Sequence, residues 1–274
     1  TAVWNRQEPY VRNYVTFHIH PDCQQDTDLG HDLLTWVEDA ARQKIEQAPA
    51  AAQITLHISA LNTEVDMAAH LTAYGLELKR HFVMMQIDMK TAPTVPTLPD
   101  GLSITTLAET DDLAAIMRAT IDSFRDHYGF VETPFEEEYE DWLDWIKMLK
   151  AQGDFDPALW FVLTDTEPQA GERVAGLAVC LPRLIEDPDL GYIEILGIRR
   201  PWRRRGLALT LLLHILAAFW ARGNKKVALH VDASSLTGAT RLYEKAGMRV
   251  VRQSDSYQLV LRDGVDLSTQ TLTQ

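Results

Sequence analysis

Two periods run through the hydrophobic positions of this chain and divide it into strands and helices. Spacings of three and four predict helices. Leu33, Leu34, Val37, Ala41 and Ile45 give residues 32–47 one apolar face. Leu113, Ile116, Met117 and Ile121 do so for a helix from Asp111 or Asp112 to 122. Trp142, Trp145, Ile146 and Leu149 do so for residues 134–150. Residues 205–222 are apolar nearly all round, which predicts a helix buried on most sides. Shorter apolar stretches predict strands at 102–107, 159–164, 173–181, 191–198, 227–231, 249–252 and 257–261, with a hairpin loop at 167–172. A short helix is expected over 237–246, and the polar residues from Asp263 read as a loosely held tail.

Residues 91–102, TAPTVPTLPDGL, hold three prolines and read as a stiff extended linker. They divide a first part, 1–90, from a second, 103–274. The two parts resemble each other. The stretch from Ile54-Thr-Leu-His to Gly75-Leu parallels that from Val227-Ala-Leu-His to Gly247-Met, and Tyr14 to Pro21 parallels Tyr192 to Pro201. The first part therefore reads as a second copy of one fold. It has only thirteen residues before Tyr14, so either its opening elements have been lost or the sequence begins within it. The expected class is α/β: two copies, each a mixed central sheet flanked by helices, the N-terminal one incomplete.

The stretch between residues 191 and 247 carries the chemistry. An apolar strand runs into Arg203-Arg204-Arg205-Gly206-Leu207-Ala208, and a long apolar helix follows. Such a join offers backbone N–H groups and the positive end of a helix dipole to an anion. Glycine lets the backbone approach closely, and arginines add charge-assisted bonds to phosphate oxygens. Three arginines at a helix N-terminus oppose the dipole unless an anion sits there. The spacing Arg203-x-x-Gly206-x-Ala208 resembles the Q/R-x-x-G-x-G/A pyrophosphate loop of the GNAT superfamily of acyl-CoA-dependent N-acyltransferases. Thr237-Gly-Ala-Thr-Arg-Leu-Tyr243-Glu-Lys-Ala-Gly247-Met resembles that superfamily's A-x-x-L-Y-x-x-x-G-F/M segment. Phe124-Arg-Asp-His-Tyr-Gly resembles a segment of tandem-domain members such as mycothiol synthase.

The resemblance implies acetyl-CoA as co-substrate, with its pyrophosphate on the N–H groups of Arg203, Arg204, Arg205, Gly206, Leu207 and Ala208. It implies a pantetheine arm lying between strands 191–198 and 227–231, against Leu196, Gly197 and Ile198. Gly197 is expected at a bulge or a close approach. Ser235 stands where family members often carry Asn, so it replaces only some of that residue's bonds. Tyr243 has the place of the proton donor to the departing thiolate. Asp126, His127 and Tyr128 fall in the region that walls the acceptor pocket. Glu194 is the only acid in its apolar strand, and a partly buried carboxylate there can act as a base. The alternative for Glu194 is an outward-facing surface acid.

In the first copy, Thr27-Asp-Leu-Gly30-His-Asp32 stands at the loop position, and Asp28 and Asp32 would repel a pyrophosphate. That copy is read as a structural or regulatory lobe. His18, His20, His31 and His57 are scattered through it and read as surface or satisfied core residues; no metal is expected.

A net charge of −13 argues against a general binder of nucleic acid or anionic membrane. Two cysteines make no disulfide framework, which fits a reducing cytoplasm. The implied function is transfer of an acetyl group from acetyl-CoA to the primary amine of a small molecule, by direct attack in a ternary complex, in a monomer or homodimer. The alternatives are a non-catalytic CoA-binding sensor and an acetyltransferase for protein N-termini or lysines. An acceptor cleft capped by the Trp-rich helix 134–150 would favour a small molecule.

Overall fold

The computed structural model describes residues 2–4, 8–167, 173–234 and 238–270. In chain order its first half holds strands β1 (Ala2–Trp4) and β2 (Arg12–Thr16), helix α1 (Thr27–Arg42), strand β3 (Ile54–Leu61), helix α2 (Val65–Tyr74) and strand β4 (Glu77–Asp88). After residues 91–101, which carry no helix or strand, come β5 (Leu102–Thr106), the single turn α3 (Leu107–Thr110), α4 (Leu113–Phe124), α5 (Phe135–Gln152), β6 (Trp160–Asp165) and β7 (Val174–Leu181). The chain then runs through β8 (Leu190–Ile198), α6 (Leu207–Arg222), β9 (Lys226–Asp232), α7 (Ala239–Lys245) and β10 (Arg249–Arg262).

The ten strands of the described residues form one mixed sheet in the order β1-β2-β3-β10-β4-β9-β8-β7-β6-β5. The repeat is visible in it. Strand, helix, parallel strand, helix and final strand recur as β2-α1-β3-α2-β4 and β8-α6-β9-α7-β10, with β2∥β3 and β8∥β9 the only parallel pairs between the named strands of the described residues. The two final strands are exchanged. β10 lies against β3 of the first copy, β4 lies against β9 of the second, and the two pair with each other at the centre. Side chains follow the backbone. Tyr257 and Leu261 of β10 are buried in the core around α1 and α2, while Val83 and Met85 of β4 are buried in the core around α6. Each such side chain contributes about 1.5–3 kcal/mol of burial, so each copy rests on the other's strand.

Several elements differ from their sequence expectation. The first helix begins five residues earlier, at Thr27, because Asp26 caps it: the Leu29 N–H donates to its Oδ1 at 3.0 Å. Gly30 therefore lies inside α1 and not in a phosphate-type loop. It is required because α2 approaches closely; a Cβ there would lie 2.5 Å from His70 Nδ1. Residues 249–262 form one strand and not two. Gln253-Ser-Asp-Ser256 reads as a turn, but pairing on both edges with β3 and β4 overrides that local preference.

The tail is not loose over its described part. Gln53 N–H donates to Val265 O (2.9 Å), Val265 N–H to Ala51 O (2.8 Å), and Thr269 N–H to Phe130 O (2.8 Å). On α6, Leu211, Leu212, Ile215, Leu216 and Phe219 are buried, but Leu209, Leu213 and Trp220 are half-buried. Trp142 and Trp145 of α5 turn inward onto buried Trp160, 5.8 and 5.7 Å between ring centroids, and so pack against the core. Among the described residues no helix is long and apolar enough to cross a membrane.

Candidate active site

The site begins where two parallel strands part. β8 and β9 pair from Leu190↔Lys226 to Ile193↔Leu229 and no further. Beyond that point β8 stays on β7 while β9 continues on β4. The register between β7 and β8 shifts here: Cys180 faces Ile193 and Val179 faces Ile195, so Glu194 is an extra, unpaired residue. A bulge bends its strand and re-aims the side chain it carries, and this one opens the fork. The bulge falls at Glu194 and not at Gly197.

Gly197 meets the other expectation, a close approach. A Cβ there would lie 2.8 Å from Ser123 Cβ of α4, whereas one at Gly191 would lie 2.6 Å from the Phe219 ring of α6. Residues six apart in a regular strand share a face; the extra residue turns the second one over, so α6 and α4 cover opposite faces. Arg199 N–H donates to Ala175 O of β7. By the same alternation the N–H groups of Leu196 and Ile198 point away from β7, into the fork.

The loop after β8 is shaped for an anion. Arg204 and Gly206 have φ of +62° and +77°, and α6 starts at Gly206 with no side-chain cap. Its first N–H groups, from Leu207 and Ala208 onward, are left to an outside acceptor. Nothing lies within 4 Å of where a Gly206 Cβ would be. Arg204 and Arg205 are exposed and hold no ion pair among the described residues. The equivalent helix of the first copy, α1, is capped by its own Asp26 carboxylate, which occupies that position with negative charge.

Arg203 does something other than expected. Its guanidinium points inward, donating to Ile198 O (2.8 Å), Ser123 O (2.8 Å) and both oxygens of Asp126 (2.5 and 3.0 Å). Asp126 is buried and also receives Arg200 at 3.3 Å. Burial pushes the Asp126 carboxyl up, but the hydrogen bonds and charge of Arg203 and Arg200 outweigh it and hold the carboxyl below the ordinary range. Asp126 thus clasps the loop to the end of α4, and its oxygens do not face an acceptor.

The neighbouring candidates divide. His127 packs edge-on against Phe124 at 4.5 Å, and burial lowers its pKa. The Tyr128 ring is covered by Arg80 of β4, 3.5 Å from its centroid, and Arg80 pairs with Asp232 at 3.6 Å. The first copy therefore contacts this segment directly.

Glu194 is reachable by solvent, yet protein surrounds it closely enough that burial raises its pKa. A carboxylate in that state is a better base than an exposed one. Tyr243, on α7, is buried; burial pushes its phenol up to about 12, and its hydroxyl has no hydrogen-bond partner among the described residues. It stays protonated and available to donate. Ser235 lies outside the described residues. No cluster of three or more His, Cys, Asp or Glu that could hold a metal occurs among the described residues.

Sequence reading missed one pair. Tyr192 Oη and His230 Nδ1 are 2.7 Å apart at the base of the fork. The signal was in the repeat, since Tyr14 and His57 align with them in sequence and their rings also meet, 5.3 Å between centroids, although in a different register.

Asp126→Asn should cost about 3 kcal/mol by removing the charge partner of a partly buried guanidinium, read by urea denaturation at pH 7. Because the folded carboxyl is held below its unfolded value, the clasp contributes in full above the unfolded value and is lost as pH falls through the folded one. The wild-type and Asn proteins should therefore converge in stability at low pH. Equal stability at pH 7 contradicts the clasp.

Residues 113–248 match the model of the Acetyltransferase (GNAT) family. A mycothiol acetyltransferase of Mycobacterium ulcerans is 28% identical over 215 residues, 71% of this chain and 62% of that protein's length. The Nocardia farcinica mycothiol acetyltransferase is 30% identical over 178 residues, covering 63% of this chain and 54% of its own. The chain thus spans under two thirds of these relatives. A tandem GNAT protein from the clavulanic acid biosynthesis pathway shares the fold, with a TM-score of 0.63 at 13% identity, over 93% of this chain and 77% of its own. The crystal structure of a GCN5-related N-acetyltransferase from Sphaerobacter thermophilus superposes with a TM-score of 0.74 at 30% identity, covering 98% of this chain and 78% of its own. With its forked parallel strands and its uncapped loop-to-helix turn, the chain belongs to the GNAT acetyltransferase family.

Proposed function

We propose that the chain transfers an acetyl group from acetyl-CoA to the primary amine of a small molecule, by direct attack in a ternary complex. The observation that carries this reading is the uncapped α6 N-terminus at one end of a fork that holds Glu194 at the other. The name of the mycothiol acetyltransferases favours a small-molecule acceptor. Acetyl-CoA supplies the acetyl group as a thioester. The N–H groups of the 203–208 turn would hold its pyrophosphate, with Arg204 and Arg205 adding charge. The fork-facing N–H groups of Leu196 and Ile198 would hold the pantetheine and polarise the acetyl carbonyl.

Glu194 takes the proton the amine loses as nitrogen bonds to the carbonyl carbon, directly or through water. Tyr243 gives its proton to the sulfur as the carbon–sulfur bond breaks. The first copy, residues 1–90, is assigned no cofactor; joined through 91–102, it supports the catalytic part, 103–274.

Gly206→Glu places charge and bulk where the pyrophosphate should lie. Acetyl-CoA affinity by calorimetry should fall at least tenfold, about 1.4 kcal/mol, from a wild-type stoichiometry of one. Gly206→Asn, which tolerates positive φ without charge, separates backbone strain from repulsion. Unchanged affinity in the Glu variant contradicts the loop assignment.

Tyr243→Phe should lower kcat by about 10²- to 10⁴-fold with little change in KM for acetyl-CoA. Glu194→Gln should remove the acid limb of the pH profile. That limb should lie above the ordinary carboxylate range, because burial raises this carboxyl. A Phe variant with wild-type kcat, measured where chemistry limits the rate, means the sulfur takes its proton from water.

A further inference from the structure

We propose that His230, held by Tyr192, recognises the acceptor, donating a hydrogen bond from Nε2 to an oxygen that the acceptor carries near its amine. The inference rests on the acetyltransferase reading and deepens it.

Placement is the first argument. The last paired residues of the fork are Ile193 and Leu229, so Glu194 and His230 are the next residue on each arm. They stand opposite each other at the base of the opening, where the reacting atoms meet if Glu194 is the base. Tyr192, on β8, reaches across to His230, on β9, and the pair shares a sheet face with Met84, Leu190 and Ala228. That is the face opposite α6, on the side of α4.

Hydrogen-bond direction is the second. Burial, with the charge of Glu194, pushes the Tyr192 phenol well above its ordinary value, so its proton stays on. Burial and Arg252 lower the His230 pKa, so the ring is neutral. We take the tautomer in which the Tyr192 O–H donates to Nδ1, which places the imidazole proton on Nε2. Tyr192 is buried while His230 is exposed, and Nε2 makes no hydrogen bond among the described residues. In that tautomer it is an oriented, exposed donor on the residue next to the opening.

The duplicate copy supplies the contrast. Tyr14 and His57 align with the pair in sequence, although they face each other directly in the sheet where Tyr192 faces Ala228; Thr16 aligns with Glu194, and His57 Nε2 is already bonded to Thr55 Oγ1 at 2.8 Å. The copy without the acid uses its imidazole internally; the copy with the acid leaves it open. The acceptor class that fits is an amino alcohol or an α-amino carbonyl compound, not a plain alkylamine. A site that donates to a substrate oxygen discriminates strongly against the analogue lacking it.

The test uses isosteric pairs, ethanolamine against propylamine and glycinamide against isobutylamine, with acetyl-CoA and free-thiol detection. The wild type should favour the oxygen-bearing member by about tenfold or more in kcat/KM. His230→Ala and His230→Asn should bring the ratio near one. His230→Gln, which keeps a donor of similar reach, should restore part of it. Tyr192→Phe, which frees the ring without removing it, should fall between. KM for acetyl-CoA should hold within about threefold throughout; Asn serves if Ala does not fold. A preference that survives in both His230→Ala and His230→Asn, or a wild type with no preference, overturns this inference alone. No turnover with any amine overturns the acetyltransferase reading and this inference with it.

Discussion

The end of β8–β9 pairing at Ile193 and Leu229 is the constraint on which the rest depends. Two parallel strands that stayed paired would leave no slot for a ligand to add itself as a strand. They part because each has a stronger commitment elsewhere. β8 carries the extra residue Glu194 and bends with β7. β9 is held along its full length, from Lys226↔Asp88 to Asp232↔Phe82, by β4. One arm of the fork is thus fixed by a bulge and the other by a strand borrowed from the first copy. That copy is therefore no passive appendage: through β4 it holds one arm of the fork, and through Arg80 it contacts Tyr128 and Asp232.

The arginine-rich turn divides its labour in a way that follows from solvation. A guanidinium pointed into protein must be paired, and Arg203 is, with Asp126 and two backbone carbonyls. Arg204 and Arg205 stay in water, where an unpaired charge costs little, and can meet a polyanion on a protein of net charge −13. The inward arginine fixes the positions of the N–H groups; the outward pair supplies attraction. The two tasks need different neighbours, so a run of three arginines is more than one positive patch.

Much of this was legible from local pattern. The apolar period placed α4, α5, α6 and most strands within a few residues, and the Arg203-x-x-Gly206-x-Ala208 spacing pointed at the turn that the structure leaves uncapped. The repeat was visible as parallel segments around His57 and His230. What stayed hidden was set by partners far away in sequence. Exchange of β4 and β10 cannot be read from either strand, because both look like ordinary final strands. The β10 turn signal at 253–256 was overruled by neighbours on two edges. Gly30 looked like a loop glycine because its reason, His70, lies forty residues on. Asp126 looked like a pocket residue because its partner, Arg203, lies 77 residues on in the sequence.

A crystal structure with acetyl-CoA tests the central claim most directly. The account predicts one cofactor per chain, its pyrophosphate within hydrogen-bond distance of the N–H groups of residues 204–208. The pantetheine should run between β8 and β9 against Leu196, with the thioester between Glu194 and Tyr243. A cofactor seated beside α1, or bound with the β8–β9 fork empty, would contradict it.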